Sequence, residues 1–262
     1  MRKIELFLKR YIKERPLFLS LIRAREAVLF QSYLPLESPI LDVGCGDGYF
    51  ARVTLSNNFQ VEKSMIDVGL DVKGSRIEEA KKINVYKKLV TYEGKNMPFK
   101  TNYFSTVVSN CVLEHINDLD LILEEINRVL KPGGLFLTTV MAAPWERNLF
   151  MTKIVGNWYK DWMRKKQVHI NLLTKELWDK RFRDAGFQIK RVEGYLSPKA
   201  CRLIDFCHYI SIPNLISYKL FGKWVLFPRI ASAVYPEGWL AEVLEEKVET
   251  DTSGAIFYVL EK

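Results

Sequence analysis

Asp42, Gly44, Gly46 and Gly48 occupy alternate positions in the run 40–50, Ile-Leu-Asp-Val-Gly-Cys-Gly-Asp-Gly-Tyr-Phe. An apolar stretch that reads as a buried strand stops at three glycines, and an amphipathic segment, 49–55, follows at once. Glycine suits such a turn because the backbone can take positive φ there, and because a ligand can approach bare amides at a helix N-terminus. A carboxylate at the strand's end repels an anion and suits an ammonium group, so Asp42 argues against a pyrophosphate. A dinucleotide turn, G-x-G-x-x-G, counted from Gly44 would need glycine where Tyr49 stands. Counted from Gly46, the variant ending in Ala51 is met, but its first glycine lies too far past the strand. The turn is built for a small polar ligand.

The elements that must hold this turn alternate between two periods. Strands are predicted over 65–72, 89–92, 105–110, 135–140, 187–195 and 255–260, with helices over 75–82 and 119–130. In the second helix Leu119, Leu123, Ile126 and Leu130 share a face, and Pro132 and Gly133 suit the centre of a type II turn. A further helix lies within 172–182, capped by the Thr174 hydroxyl, with Leu177 beginning its apolar face and Gly186 ending it.

On these residues the sequence resembles the class I S-adenosylmethionine (SAM)-dependent methyltransferases, whose first motif, D-x-G-x-G-x-G, is matched by Asp42, Gly44, Gly46 and Gly48. The stretches Val112-Leu113-Glu114-His115-Ile116 and Arg128-Val129-Leu130-Lys131-Pro132-Gly133-Gly134 resemble the "VLEHI…RVLKPGG" of the methyltransferase type 11 group. The resemblance implies an α/β fold: a Rossmann-like seven-stranded sheet in the order 3-2-1-4-5-7-6, helices on both faces, the last strand antiparallel. It implies SAM as cofactor, held by Asp42, Gly44, Cys45, Gly46, Gly48, Asp71, Glu93, Gly94 and Asn110. In that family an acid after the second strand takes the ribose hydroxyls, here Asp71 with Asp67 as competitor. An acid in the "GDAxxLPF" segment takes the adenine amino group, here Glu93 where aspartate is commoner.

The 262 residues, 48% hydrophobic and 27% charged, are ordinary for one globular domain. That domain is read as a helical cap (1–37), a SAM-binding half (38–141) and a substrate half (142–262) carrying an aromatic insert at 196–253. No apolar run reaches the length of a membrane span, and 1–15 lacks a signal peptide's apolar core. Cys45, Cys111, Cys201 and Cys207 show no C-x-x-C spacing, so neither a disulfide framework nor a metal site is expected, and a cytoplasmic setting is the default. The net charge of +8 is uneven: residues 1–25 hold eight Lys/Arg against Glu5 and Glu14. With Ile4, Phe7, Leu8, Tyr11 and Ile12 on one side, this opening can lie on an anionic membrane, grip an acidic substrate, or pack over the cofactor cleft. No nucleic-acid reading module accompanies the charge. The insert can cap the active site, dock a partner chain or dip into a lipid interface.

Methyl transfer is an in-line displacement that needs mainly positioning, and a base only where the acceptor carries a proton. His169, His115 and His208 are the candidates. His169, just before the helix capped by Thr174, is chosen as the catalytic residue because related enzymes often carry a histidine there. No N-P-P-Y sequence and no Pro-Cys dipeptide follow the fourth strand, where Ser109-Asn110-Cys111-Val112 stands. A small-molecule or lipid-like acceptor is therefore expected. Two rivals remain: a nicotinamide oxidoreductase, opposed by Asp42 and Tyr49, and a non-catalytic SAM-binding regulatory or scaffold protein.

Overall fold

The computed structural model describes residues 1–56 and 65–262. Seven strands, β1 (Ile40–Val43), β2 (Ile66–Val72), β3 (Tyr86–Tyr92), β4 (Phe104–Asn110), β5 (Leu130–Met141), β6 (Gln188–Gly194) and β7 (Ala255–Glu261), form one sheet. Its order is β3-β2-β1-β4-β5-β7-β6, the order implied by the resemblance. Strands β1 to β5 pair in parallel. β7 runs the other way, since its end pairs with the start of β5 through Gly133 and Lys262, and its start pairs with Tyr195 beyond the end of β6. All four residues of β1 and six of the seven in β4 are buried, as central parallel strands covered on both faces must be.

The chain divides into two compact units, one of 1–29, 143–167 and 194–255, the other of 30–142, 168–193 and 256–262. In the second, the helix Leu119–Val129 sends Leu119, Ile122, Leu123, Ile126 and Val129 into the core. The helix Lys175–Asp184 begins at Thr174, whose Oγ1 accepts the Leu177 amide at 3.4 Å. The apolar face of this helix starts one residue later than expected. Leu177 is exposed, and Trp178 and Phe182 are the fully buried positions, Phe182 lying 4.8 Å from the Tyr258 ring. A second difference concerns Pro132 and Gly133. They form no separate turn between helix and strand; β5 already starts at Leu130 and takes up these residues in a register shift against β4, with Gly133 at φ 74°.

The other unit is helical. Its opening helix, Lys3–Ile12, buries Ile4, Phe7, Leu8, Tyr11 and Ile12. They pack toward the helices Glu237–Leu244 and Pro228–Val234. Lys9 reaches Glu237 at 3.1 Å, and Arg2 reaches Glu245 at 3.3 Å. Of the readings open for the basic, amphipathic start of the chain, packing is the one Lys3–Ile12 follows: its apolar side is consumed within the protein and is not presented to lipid. The 196–253 stretch folds into four α-helices, Pro198–Ile210, Ile212–Phe221, Pro228–Val234 and Glu237–Leu244, and a 3-10 turn, Thr250–Thr252.

Candidate active site

A cavity of about 430 Å³ opens at the carboxyl ends of β1, β2 and β4, lined among others by Val43, Gly44, Asp71, Tyr92, Glu93, Gly94 and His115. This is where an open parallel sheet leaves a crevice, between strands whose connections leave in opposite directions. The glycine turn reaches it through Gly44. Gly44 takes φ 74°, and a Cβ there would come within 2.5 Å of the Val112 side chain, so no other residue fits. At Gly48, also at φ 74°, a Cβ would lie 3.1 Å from the Tyr86 ring. The helix expected over 49–55 is present, starting in α-helical form at Tyr49 and Phe50 and continuing as a π-helical turn, Ala51–Leu55.

Asp71 ends β2 on the cavity wall. Its Oδ2 accepts the Gly46 amide and its Oδ1 the Val72 amide, both at 2.7 Å, so the carboxylate pins the glycine turn while facing the cavity. Burial raises its pKa, opposed by those two amides. Asp67, the competitor, points elsewhere: it binds Ser38, the Ile40 amide and Lys87. Glu93 and Gly94 stand on the wall, Glu93 solvent-exposed. Tyr92, beside them, has its pKa pushed up to about 12 by burial and then by Asp71 and Glu125, so its hydroxyl keeps its proton.

Asp42 is not on the wall. It is buried, and the Tyr86 hydroxyl donates to its Oδ2 at 2.6 Å. Burial, with Asp71 adding to it and the Tyr86 bond opposing it, pushes its pKa up to about 7. Between about pH 4 and 7 the folded protein therefore holds a proton that the unfolded chain has released, and stability falls as pH rises through that window. Asp42→Asn removes this cost. We expect it to raise stability at pH 8 by on the order of 2 kcal/mol, the gain shrinking as pH falls toward 4. Parallel pH profiles for the two proteins in thermal melts would contradict the assignment.

Of the other predicted positions, Cys45, Gly46, Gly48 and Asn110 shape the turn and the β4 end without lining the cavity. Asn110 Oδ1 accepts the Thr139 hydroxyl at 2.9 Å. Cys111 follows at φ 51°, a left-handed conformation costly for a non-glycine residue, which turns the chain toward Val112 and His115.

The structure then makes a grouping that spacing could not show. His169 lies against His115, ring centroids 5.1 Å apart and nearly parallel. His115 Nδ1 lies 3.0 Å from the Val168 carbonyl; as a donor to it, the ring keeps a lone pair on Nε2. With Glu114, buried and accepting the Met141 amide at 3.4 Å, the two histidines place three ligand atoms within 4.8 Å of one another. The sequence offered no metal-ligand cluster, yet this set is of a type that holds a divalent ion. It can equally hold and orient a proton. The adjacency of Glu114 and His115 was the only signal in the sequence, because His169 arrives from a distant part of the chain. His208, the third candidate, packs on Phe18 at 4.3 Å, and burial lowers its pKa.

The sheet order, the antiparallel last strand and a glycine turn faced by an acid from the next strand define the class of SAM-dependent methyltransferase folds. A profile described as "Methyltransferase domain" matches residues 9–192, and the chain belongs to that family. It is 29% identical over 180 residues to a malonyl-acyl-carrier-protein O-methyltransferase of Legionella pneumophila, covering 68% of this chain and 57% of that one. To the mitochondrial arginine-hydroxylase NDUFAF5 of Homo sapiens it is 32% identical over 109 residues, 40% of this chain and 29% of that one. The chain thus spans little more than half of the one and under a third of the other. Among solved structures, a SAM-dependent methyltransferase from Thermotoga maritima superposes with TM-score 0.56 at 16% identity, covering 99% of both chains, a likeness of fold.

Proposed function

We propose that this protein moves a methyl group from S-adenosylmethionine to a small or amphiphilic acceptor, with His169 as the residue that takes the acceptor's proton. The observation that carries the reading is the 430 Å³ cavity in which Gly44, Asp71, Glu93 and His115 meet. Its size is within the range of small-molecule sites. The lining suits this cofactor: Asp71 and Glu93 are acceptors for hydroxyl and amino groups, and Gly44 admits backbone-close contact. When bound, SAM supplies an electrophilic methyl group, so the protein's task is to hold the acceptor in line with it. Asp71 would take the ribose hydroxyls, its geometry set by the Gly46 amide. Glu93 at the rim would take the adenine amino group. His115 bounds the same cavity and, ring against ring, positions His169.

The Val112–Ile116 and Arg128–Gly134 stretches support a place beside the type 11 group. An oxygen acceptor is favoured by the name of the Legionella relative. The second reading is a SAM-binding regulatory or scaffold protein without turnover. It rests on the acids of the cavity wall, which bear on binding the cofactor and not on transfer.

Calorimetric titration with S-adenosylhomocysteine, with NAD as control, tests the cofactor assignment. Micromolar binding of the former alone is expected; binding of NAD alone, or of neither, would end it. Turnover with a screened amphiphilic acceptor separates the enzyme from the scaffold.

A further inference from the structure

The helix Ile212–Phe221 is turned inside out. Its one buried residue is Ser217, whose hydroxyl donates to the Lys223 carbonyl at 2.6 Å. Ile212, Ile216 and Leu220, spaced four apart on one stripe, are exposed, as are Leu215 and Phe221. A helix in a soluble core shows the opposite pattern. The same character continues beyond it: Phe227 is 66% exposed, and on Pro228–Val234 both Ile230 and Val234 point outward. In the same unit Trp158 and Trp162 on Asn157–Lys166 lie exposed with their rings stacked 6.5 Å apart. The short helix Pro144–Arg147 packs on both Asn157–Lys166 and Pro198–Ile210, and the latter packs on Ile212–Phe221, so these segments form one assembly.

Charge accompanies the apolar side chains. Residues 144–167 and 206–239 together hold nine Lys/Arg against Glu146, Asp161 and Glu237, an excess of six in a chain whose net charge is +8. Scattered exposed hydrophobes need no explanation, but exposed apolar side chains gathered on the helices of one unit in segments of net positive charge do. No helix among the described residues is long and apolar enough to cross a membrane. A second copy docked symmetrically on this surface would set the same six positive charges against themselves. Exposed apolar and indole side chains in segments rich in Lys and Arg match the boundary of an anionic bilayer, where rings and aliphatic chains enter the headgroup region and cations meet phosphates.

We propose that the surface formed by Ile212–Phe221, Phe227–Val234 and the Trp158–Trp162 pair docks on anionic lipid, holding the protein at the face of a bilayer. The proposal stands apart from the cofactor assignment. The test is sedimentation of the full chain with vesicles of phosphatidylcholine alone or with about 30% phosphatidylglycerol, at about 0.05 and 0.5 M salt. Anionic vesicles should bind at least about tenfold more protein than neutral ones, with binding falling at high salt. Emission of the exposed tryptophans should shift to the blue on the anionic vesicles alone. Leu220→Glu with Phe227→Glu, at two exposed positions, should lower the partition at least about tenfold while melting and S-adenosylhomocysteine binding stay unchanged. No binding to anionic vesicles, or equal binding by wild type and variant, would overturn the proposal. A wild-type dimer in light scattering that the variant splits would assign the surface to a second copy instead. Vesicle binding that fails while S-adenosylhomocysteine still binds removes this inference and leaves the cofactor reading standing.

Discussion

Asp71→Ala is expected to weaken S-adenosylhomocysteine binding by about 10- to 100-fold. A charge-assisted hydrogen bond contributes roughly 1.5–3 kcal/mol, and about 1.4 kcal/mol is tenfold in affinity. Two losses combine at this position. The acceptor for the ribose hydroxyls disappears, and so does the 2.7 Å bond that ties the Gly46 amide to the end of β2, leaving the glycine turn less well held. Asp71→Asn separates the two, because its amide oxygen can still accept from Gly46 without the charge; we expect it to fall between wild type and alanine. Asp67→Ala, which removes an acid bonded to Ser38, Ile40 and Lys87 away from the cavity, serves as the comparison. Calorimetry decides: wild-type affinity in Asp71→Ala would remove Asp71 from the cofactor site, and with it the strongest link between this geometry and SAM.

His169→Ala is expected to lower turnover by about 10²- to 10⁴-fold, the usual contribution of a positioned acid or base, with cofactor affinity changed by less than about twofold. The expectation follows from its place against His115, itself on the cavity wall, with the Glu114 carboxylate close by. A packing role would also slow the enzyme, so the pH profile matters more than the rate alone. A base that must be neutral gives a rate falling on the acid side, and that limb should be absent in the alanine variant. Added imidazole should restore part of the rate if the lost function is proton transfer. A variant with full activity, or one whose profile keeps the wild-type acid limb, would return His169 to a structural part. Because two imidazoles and a carboxylate sit together, the profile should be repeated with a chelator present; an unchanged profile points to proton handling without an ion.

Much of the fold is legible in the sequence. The glycines at 44, 46 and 48, the acid at 71 at the end of the next strand and the alternation of apolar runs with amphipathic segments follow from local rules. A turn that needs positive φ selects glycine, and a strand buried on both faces selects a continuous apolar run. Those rules act between near neighbours, so the strands, the helices and the glycine turn could be read from them, while the sheet order and the cofactor residues came from the family resemblance. What periodicity reports is that residues share a face; it is silent on what the face meets. Lys3–Ile12 and Ile212–Phe221 both present an apolar stripe in sequence, yet the first is buried in its own unit and the second lies open. Asp42 belonged to the motif, but its burial beneath Tyr86, and so its raised pKa, depends on a residue 44 positions away. The meeting of Glu114 and His115 with His169 depends on the chain returning from the far side of β5. The sequence by itself determined the glycine turn, because local conformational preference decides it, and the fold class, through the motifs that carry the family resemblance. Only the tertiary structure decided which acid faces the cavity, which histidines meet and which apolar face stays in solvent, because burial and contact between distant segments are set by packing of the whole chain.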